Sequence, residues 1–109
     1  MHAVTERPTL EFDEDGLLKD PAQWNETVAA EIARREGIGP LTEEHWEVIR
    51  SLREHYAKFG VAPAMSNVCH KHGKPKHWVH DLFQTCLNAW RVAGLPNPGE
   101  EAKAYLSDM

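Results

Sequence analysis

"PLTEEHWEVIRSLREHYAKFG", residues 40–60, is the stretch that decides the fold. Thr42 is a good helix N-cap, and Glu43 and Glu44 suit the positive end of the helix dipole. Trp46, Ile49, Leu52, Tyr56 and Phe59 then recur at steps of three and four, with Arg53 beside Leu52, and Gly60 supplies the stop. This is a long amphipathic helix, and its one-sided apolar stripe requires other elements to cover it.

The flanking sequence supplies them. Upstream, "DPAQWNETVAAEIARREG" places Asp20 as cap, Pro21 at the first helical position and Trp24, Val28 and Ile32 on one face; it predicts a helix over 21–36. Downstream, "VAPAMSNVCHKHG" predicts a turn and a short helix over 64–72, with Met65, Val68 and Cys69 facing inward. "KHWVHDLFQTCLNAWRVAG" predicts a helix over 77–92 with a wide apolar face that includes Trp90. Before all of these, "PTLEFDEDGLL" alternates weakly around Asp15-Gly16, so Thr9–Phe12 and Leu17–Leu18 are expected to pair as a small hairpin. After them, "GLPNPG" halts the last helix and stiffens an arm, leaving "EEAKAYLSDM" either as a further helical turn through Ala102, Tyr105 and Leu106 or without order. The expected fold class is α+β, mostly α: an N-terminal β-hairpin or meander packed on a helical array, with a Pro-containing C-terminal arm. One domain spans 1–109, with a flexible start over 1–8 and the arm and tail over 94–109.

With 109 residues, 41% of them hydrophobic, the chain can bury a core without disulfides or metals. No signal-peptide pattern or membrane-length apolar run is seen, so a cytoplasmic protein with no membrane association is expected. Cys69 and Cys86 then read as thiols rather than a disulfide. The net charge of -5 is uneven. Residues 1–47 hold 12 acids and 4 Lys/Arg, giving -8; residues 48–109 hold 5 acids and 8 Lys/Arg, giving +3. The acidic half repels nucleic acid at long range, but the basic turn Lys71, Lys74 and Lys76, with His70, His72 and His77, remains a candidate surface for a nucleic acid or an acidic partner.

The same turn holds candidate zinc ligands, Cys69, His72, His77 and His80, although their spacing matches no zinc-finger pattern; the reading adopted is no metal and no cofactor. Phosphate-loop, metalloprotease and nucleophile-elbow motifs are missing from the sequence, so an enzyme with its own catalytic machinery is not expected.

Several stretches together resemble the DsrC/TusE family, which includes the gamma-type partner of dissimilatory sulfite reductase and the sulfur-relay protein of tRNA 2-thiolation. They are "FDEDGLLKDPAQWNETVAAEIARREGI", "LTEEHWEVIRSLREHYAKFGVAPAM", "DLF" at Asp81–Phe83, and "RVAGLPNP". They run in the family's order from Leu10 to Pro98, and "HWEVI" and "AGLPNP" are the most specific pieces. The resemblance implies a β-hairpin or meander on about five helices and a mobile C-terminal arm. It also implies sulfur chemistry at two positions. In family carriers a cysteine follows "GLP-x-P" after two residues and is penultimate in the chain; a second cysteine, just before "AGLP", marks the sulfite-reductase partner. On this chain those positions are Glu101 and Trp90, neither of which can carry sulfur, and eight residues follow Glu101. The family's Pro/Gly-rich break after "LF" is "QTCLN" here, which permits a continuous helix.

The expectation is therefore a non-sulfur-carrying, regulatory or accessory protein. It would bind a protein partner of a sulfur-transfer or sulfite-reductase system, through Lys71, His72, Lys74, Lys76 and His77 and the arm residues Leu95, Pro96, Pro98 and Glu101. The alternatives are a sulfur carrier with a relocated thiol at Cys86 or Cys69, and a DNA-binding regulator built on a helix-turn-helix over 64–90.

Overall fold

Thr42 opens the helix on which the rest of the chain packs. Its backbone N–H donates to Nδ1 of His45 at 3.0 Å, and its Oγ1 lies 2.8 Å from the same nitrogen. The other ring nitrogen of buried His45 donates to the carbonyl of Leu82 at 2.9 Å, tying this helix start to a distant element. The computed structural model describes residues 10–107. Within them a 3-10 turn over Pro21–Gln23 precedes six helices: α1 Glu26–Arg35, α2 Glu43–Phe59, α3 Met65–Lys71, α4 Trp78–Phe83, α5 Cys86–Val92 and α6 Glu100–Ser107. Val48, Ile49 and Leu52 are the fully buried apolar face of α2. The stripe drawn from sequence runs slightly off this face: Trp46 and Tyr56 are half-buried, and Phe59, past the end of the packed region, is 61% exposed.

Helix α5 is the hub. It packs on α1, α2, α4 and α6, and every residue from Cys86 to Trp90 is buried. A short helix can occupy the centre only if its ends are satisfied from within. Thr85 caps the start by accepting the Asn88 N–H at 3.1 Å. Buried Asn88 spends both ends of its amide, donating to Phe83 O at 3.0 Å and accepting from Arg91 Nη1 at 2.6 Å.

Three expectations are corrected. The single helix expected over 77–92 is two, α4 and α5, because Gln84 adopts φ +75° and Thr85 restarts the chain as a cap. Gln84 is held there by its Nε2–H donating to Gly37 O at 3.1 Å. The helix expected over 21–36 is likewise divided: Asp20 caps only the 3-10 turn, while Asn25 accepts the Val28 N–H at 2.8 Å and starts α1. The N-terminal β-hairpin does not form among the described residues. Phe12 and Leu18 make one isolated antiparallel bridge, and no strand develops. Asp13 Oδ1 draws the N–H groups of Asp15 and Leu17 into a tight turn, Leu17 and Leu18 are both buried so side chains do not alternate, and Pro21 lacks the donor a ladder would need. Thr9 and the flexible segment expected over 1–8 lie outside the described residues. No helix among the described residues is long and apolar enough to cross a membrane.

Thr85→Ala removes the cap of the hub helix. We expect a loss of about 1 kcal/mol, read as a lowered urea midpoint with unchanged slope.

Candidate functional site

The root of the C-terminal arm is where the chain's side chains converge. Gly94 ends α5 at φ +70°, a conformation that favours glycine. Space dictates the same choice: a Cβ there would lie 1.9 Å from Cδ1 of Trp24. The indole is fixed in that place by its Nε1–H, which donates to Val92 O at 2.9 Å, and Arg53 lies over the ring with Cζ 3.9 Å from its centroid. Arg53 also donates from Nη1 to Ala93 O at 2.7 Å. Burial holds this guanidinium below its ordinary pKa, although it stays charged. Further along, Trp90 Nε1–H donates to Pro96 O at 2.8 Å, and Tyr56 meets the Trp90 ring edge-to-face with centroids 5.8 Å apart. Three side chains from three helices or turns therefore satisfy three arm-root carbonyls, at Val92, Ala93 and Pro96. Unpaired, each would be costly at a buried site.

Beyond the root the chain turns back. Asn97 Oδ1 accepts the Gly99 N–H at 2.8 Å, and α6 follows. Lys103 Nζ reaches Asp15 Oδ2 at 2.6 Å and Glu100 Oε2 at 3.0 Å, which together raise its pKa. Tyr105 Oη accepts the Met65 N–H at 3.0 Å, satisfying the first donor of α3, and Leu106 is fully buried. The arm that the resemblance implied to be mobile is docked along this path by burial and hydrogen bonding.

The sequence-predicted residues fall out as follows. Trp90 is fully buried and spends its N–H on the arm, while Glu101 is exposed on the first turn of α6. Leu95, expected on a presented partner-binding surface, is only 5% exposed and reaches the surface as part of the lining of a groove beside α2; Pro96 and Pro98 are half-buried. Lys71, Lys76 and His77 are exposed, whereas His72 and Lys74 are partly covered. His72 Nε2 lies 2.7 Å from Ser51 Oγ and its Nδ1 3.8 Å from Glu47; Lys74 lies over Trp78, whose Nε1–H donates to Glu44 Oε1 at 2.7 Å. The basic turn is thus backed by acids of α2. No hydrogen bond, ion pair or ring contact among the described residues joins it to the arm.

Cys69 and Cys86 are free thiols, 1% and 2% exposed. Cys69 Sγ lies 3.6 Å from Lys76 O. Burial first, and then nearby Cys69, pushes the Cys86 thiol up from its ordinary 9.0 to about 11. The zinc candidates are dispersed. Cys69 is buried, His72 is engaged by α2, His77 and His80 are exposed, and no group of three or more possible ligands is assembled among the described residues.

Sequence reasoning missed Arg53 and the Trp24–Gly94 contact as parts of a site. Arg53 carried a signal, a cation wedged between Leu52 and Tyr56 on the flank of an apolar stripe. The Trp24–Val92 bond, spanning 68 positions, carried none.

The sequence matches the family described as DsrC like protein over residues 4–100. This chain belongs to the DsrC/TusE family. Curated relatives are Sulfurtransferase TusE of Salmonella choleraesuis (strain SC-B67), 38% identical, and of Escherichia coli (strain K12), 36% identical; each match covers 87% of this chain and 94% of the relative. Among solved structures, the oxidized gamma-subunit of the dissimilatory sulfite reductase (DsrC) from Archaeoglobus fulgidus is 39% identical. It matches with TM-score 0.70 over 84% of this chain and 90% of that one. The DsrC/gamma subunit of Pyrobaculum aerophilum is 36% identical, with TM-score 0.73 over 84% of this chain and 85% of that one. The family match stops at Glu100, so α6 beyond its first residue lies outside it.

Gly94→Ala forces Trp24 out from under Arg53. We expect destabilisation of about 3 kcal/mol, from overpacking and left-handed strain together, and a red-shifted tryptophan emission. In the native protein both cysteines should resist a small alkylating reagent at neutral pH. With the folded Cys86 pKa raised, stability should fall as pH climbs from 9.0 to about 11, where only the unfolded thiol ionises. Cys86→Ser should flatten that part of the pH–stability curve.

Proposed function

We propose that this chain is a docking member of a sulfur-relay system: it engages a protein partner through the family scaffold and does not itself carry sulfur. The observation that supports this most directly is the state of its thiols. Attack on a sulfane sulfur needs an accessible thiolate. The arm has none, position 90 is a buried tryptophan, and the two cysteines are buried, one with its pKa pushed to about 11. The partner class follows from relatives that are sulfurtransferases or sulfite-reductase gamma subunits. The residues this reading assigns to docking are the exposed Lys71, Lys76 and His77 of the basic turn, and the half-buried Pro96 and Pro98 and exposed Glu101 of the arm.

A second reading, sulfur relay through Cys86 or Cys69, is favoured by the name the curated relatives share, Sulfurtransferase. It requires an opening motion that uncovers α5 or α3. The DNA-binding reading has less behind it, because Glu47 lies beside His72 of the basic turn and Glu44 bonds Trp78, the ring that Lys74 covers. It predicts affinity that falls steeply with salt.

One experiment separates the first two. The protein is incubated with a cysteine-fed sulfurtransferase and analysed by intact mass spectrometry without reductant. The docking reading predicts unchanged mass, with full persulfide labelling of an accessible-thiol control. Addition of one sulfur atom on Cys86 or Cys69, passed on to a second protein, would establish the carrier reading instead.

A further inference from the structure

Arg53 is only partly used by the fold. Its Nη1 serves the Ala93 carbonyl and its plane covers Trp24, but Nε and Nη2 meet no acceptor among the described residues, and no carboxylate pairs with it. Those two nitrogens form one edge of the guanidinium, the edge that grips a carboxylate with two parallel hydrogen bonds. Neighbouring Arg50 is already paired with Glu43 at 3.1 Å.

Arg53 also lines two adjoining grooves. The larger, about 610 Å³, runs between the end of α2 and the arm root, walled by Tyr56, Ala57, Leu95 and Pro96. The other, about 330 Å³, continues past Trp24 and Trp46. Both are mainly apolar, and the larger falls within the range of ligand-binding clefts, roughly 300–1,000 Å³. Their wall is fixed, because Trp90 holds Pro96 O and Gly94 is locked against Trp24. Glu54 lies on the rim of both grooves. It offsets one unit of the positive field, so a ligand with two negative charges is disfavoured relative to one with a single charge. An apolar trough with one unspent fork suits an apolar body ending in one carboxylate.

We propose that the groove at the arm root captures the C-terminal carboxylate of an extended, apolar segment of the partner protein, with Arg53 as the carboxylate fork and Tyr56, Leu95 and Pro96 as the apolar wall. This names the partner chemistry of the docking reading and rests on it. Capture of a chain terminus by an oriented donor set is an established mode of peptide recognition. Extended backbone passing Pro96 would lie beside the arm, on the side of α2 away from the basic turn.

The test uses the full chain, ¹⁵N-labelled, with a pool of acetylated pentapeptides randomised over alanine, valine, leucine and proline. The pool is made once as free acids and once as C-terminal amides, with sodium acetate as the small-anion control. The readouts are the Arg53 side-chain Nε–H resonance, intrinsic tryptophan fluorescence and titrated affinity. The free acids should bind at least tenfold tighter than the amides and acetate, and should move the Arg53 Nε–H and Trp24 indole signals. Glu54→Gln, an exposed substitution that leaves the fold intact, should tighten acid binding several-fold, and Arg53→Lys should weaken it toward the amide level. Equal binding of acid and amide, acetate binding as tightly as the peptides, or no binding at all would overturn the assignment. So would acid binding that leaves the Arg53 signal unmoved, which also serves if Arg53→Lys fails to fold. The sulfur-labelling result is read separately, so the carboxylate site can fail while the docking reading stands.

Discussion

The contact between Gly94 and the Trp24 indole is the constraint on which the functional end of this molecule depends. It fixes where α5 stops, and only a residue without a Cβ fits this close to the ring. The same indole holds Val92 O and carries Arg53, which holds Ala93 O. Trp90 then closes the set on Pro96 O. Each bond is modest when averaged over water exchange, about 1 kcal/mol. Together they fix the backbone direction of a segment whose prolines already restrict it, and the entropy left to remove is small. The arm begins from one geometry, and the placement of everything beyond it follows.

That geometry changes what the scaffold can do. Family resemblance placed sulfur chemistry at positions 90 and 101, and here those positions hold a buried indole that stabilises the arm and an exposed carboxylate. Trp90 is a positive structural element at a place where a thiol would be small and reactive. The segment past the family match folds into α6 and returns to the body through Lys103, Tyr105 and Leu106. The root of the arm forms part of the wall of a groove. These features support the docking reading proposed above, in which Cys69 and Cys86 stay buried in the core.

The local parts of this arrangement were legible in the sequence. α2 was readable because a cap, two acids, a stripe and a terminal glycine agree over 40–60. Gly94 and the prolines marked the arm root from their backbone chemistry alone. Where local signals competed, reading failed. Asp15-Gly16 signalled a hairpin, and it does make a turn, but Asp13 and Pro21 leave room for one bridge only. Thr85 is a cap signal inside an apolar run whose periodicity reads as continuous; nothing in the residue type foretells φ +75° at Gln84. The parts of the site that pair distant residues were not readable. Trp24 meets Val92 across 68 positions, and Lys103 meets Asp15 across 88. No periodicity encodes such pairs, so a docked arm looks the same in sequence as a free one.

The central claim is that the arm is a fixed part of the body. Backbone ¹⁵N relaxation over residues 94–107 of the full chain tests it most directly. A docked arm predicts order parameters near about 0.85 through Leu106, equal to those of α2. Values below about 0.6 from Leu95 onward, with α5 still rigid, would contradict it and restore the mobile arm of a carrier.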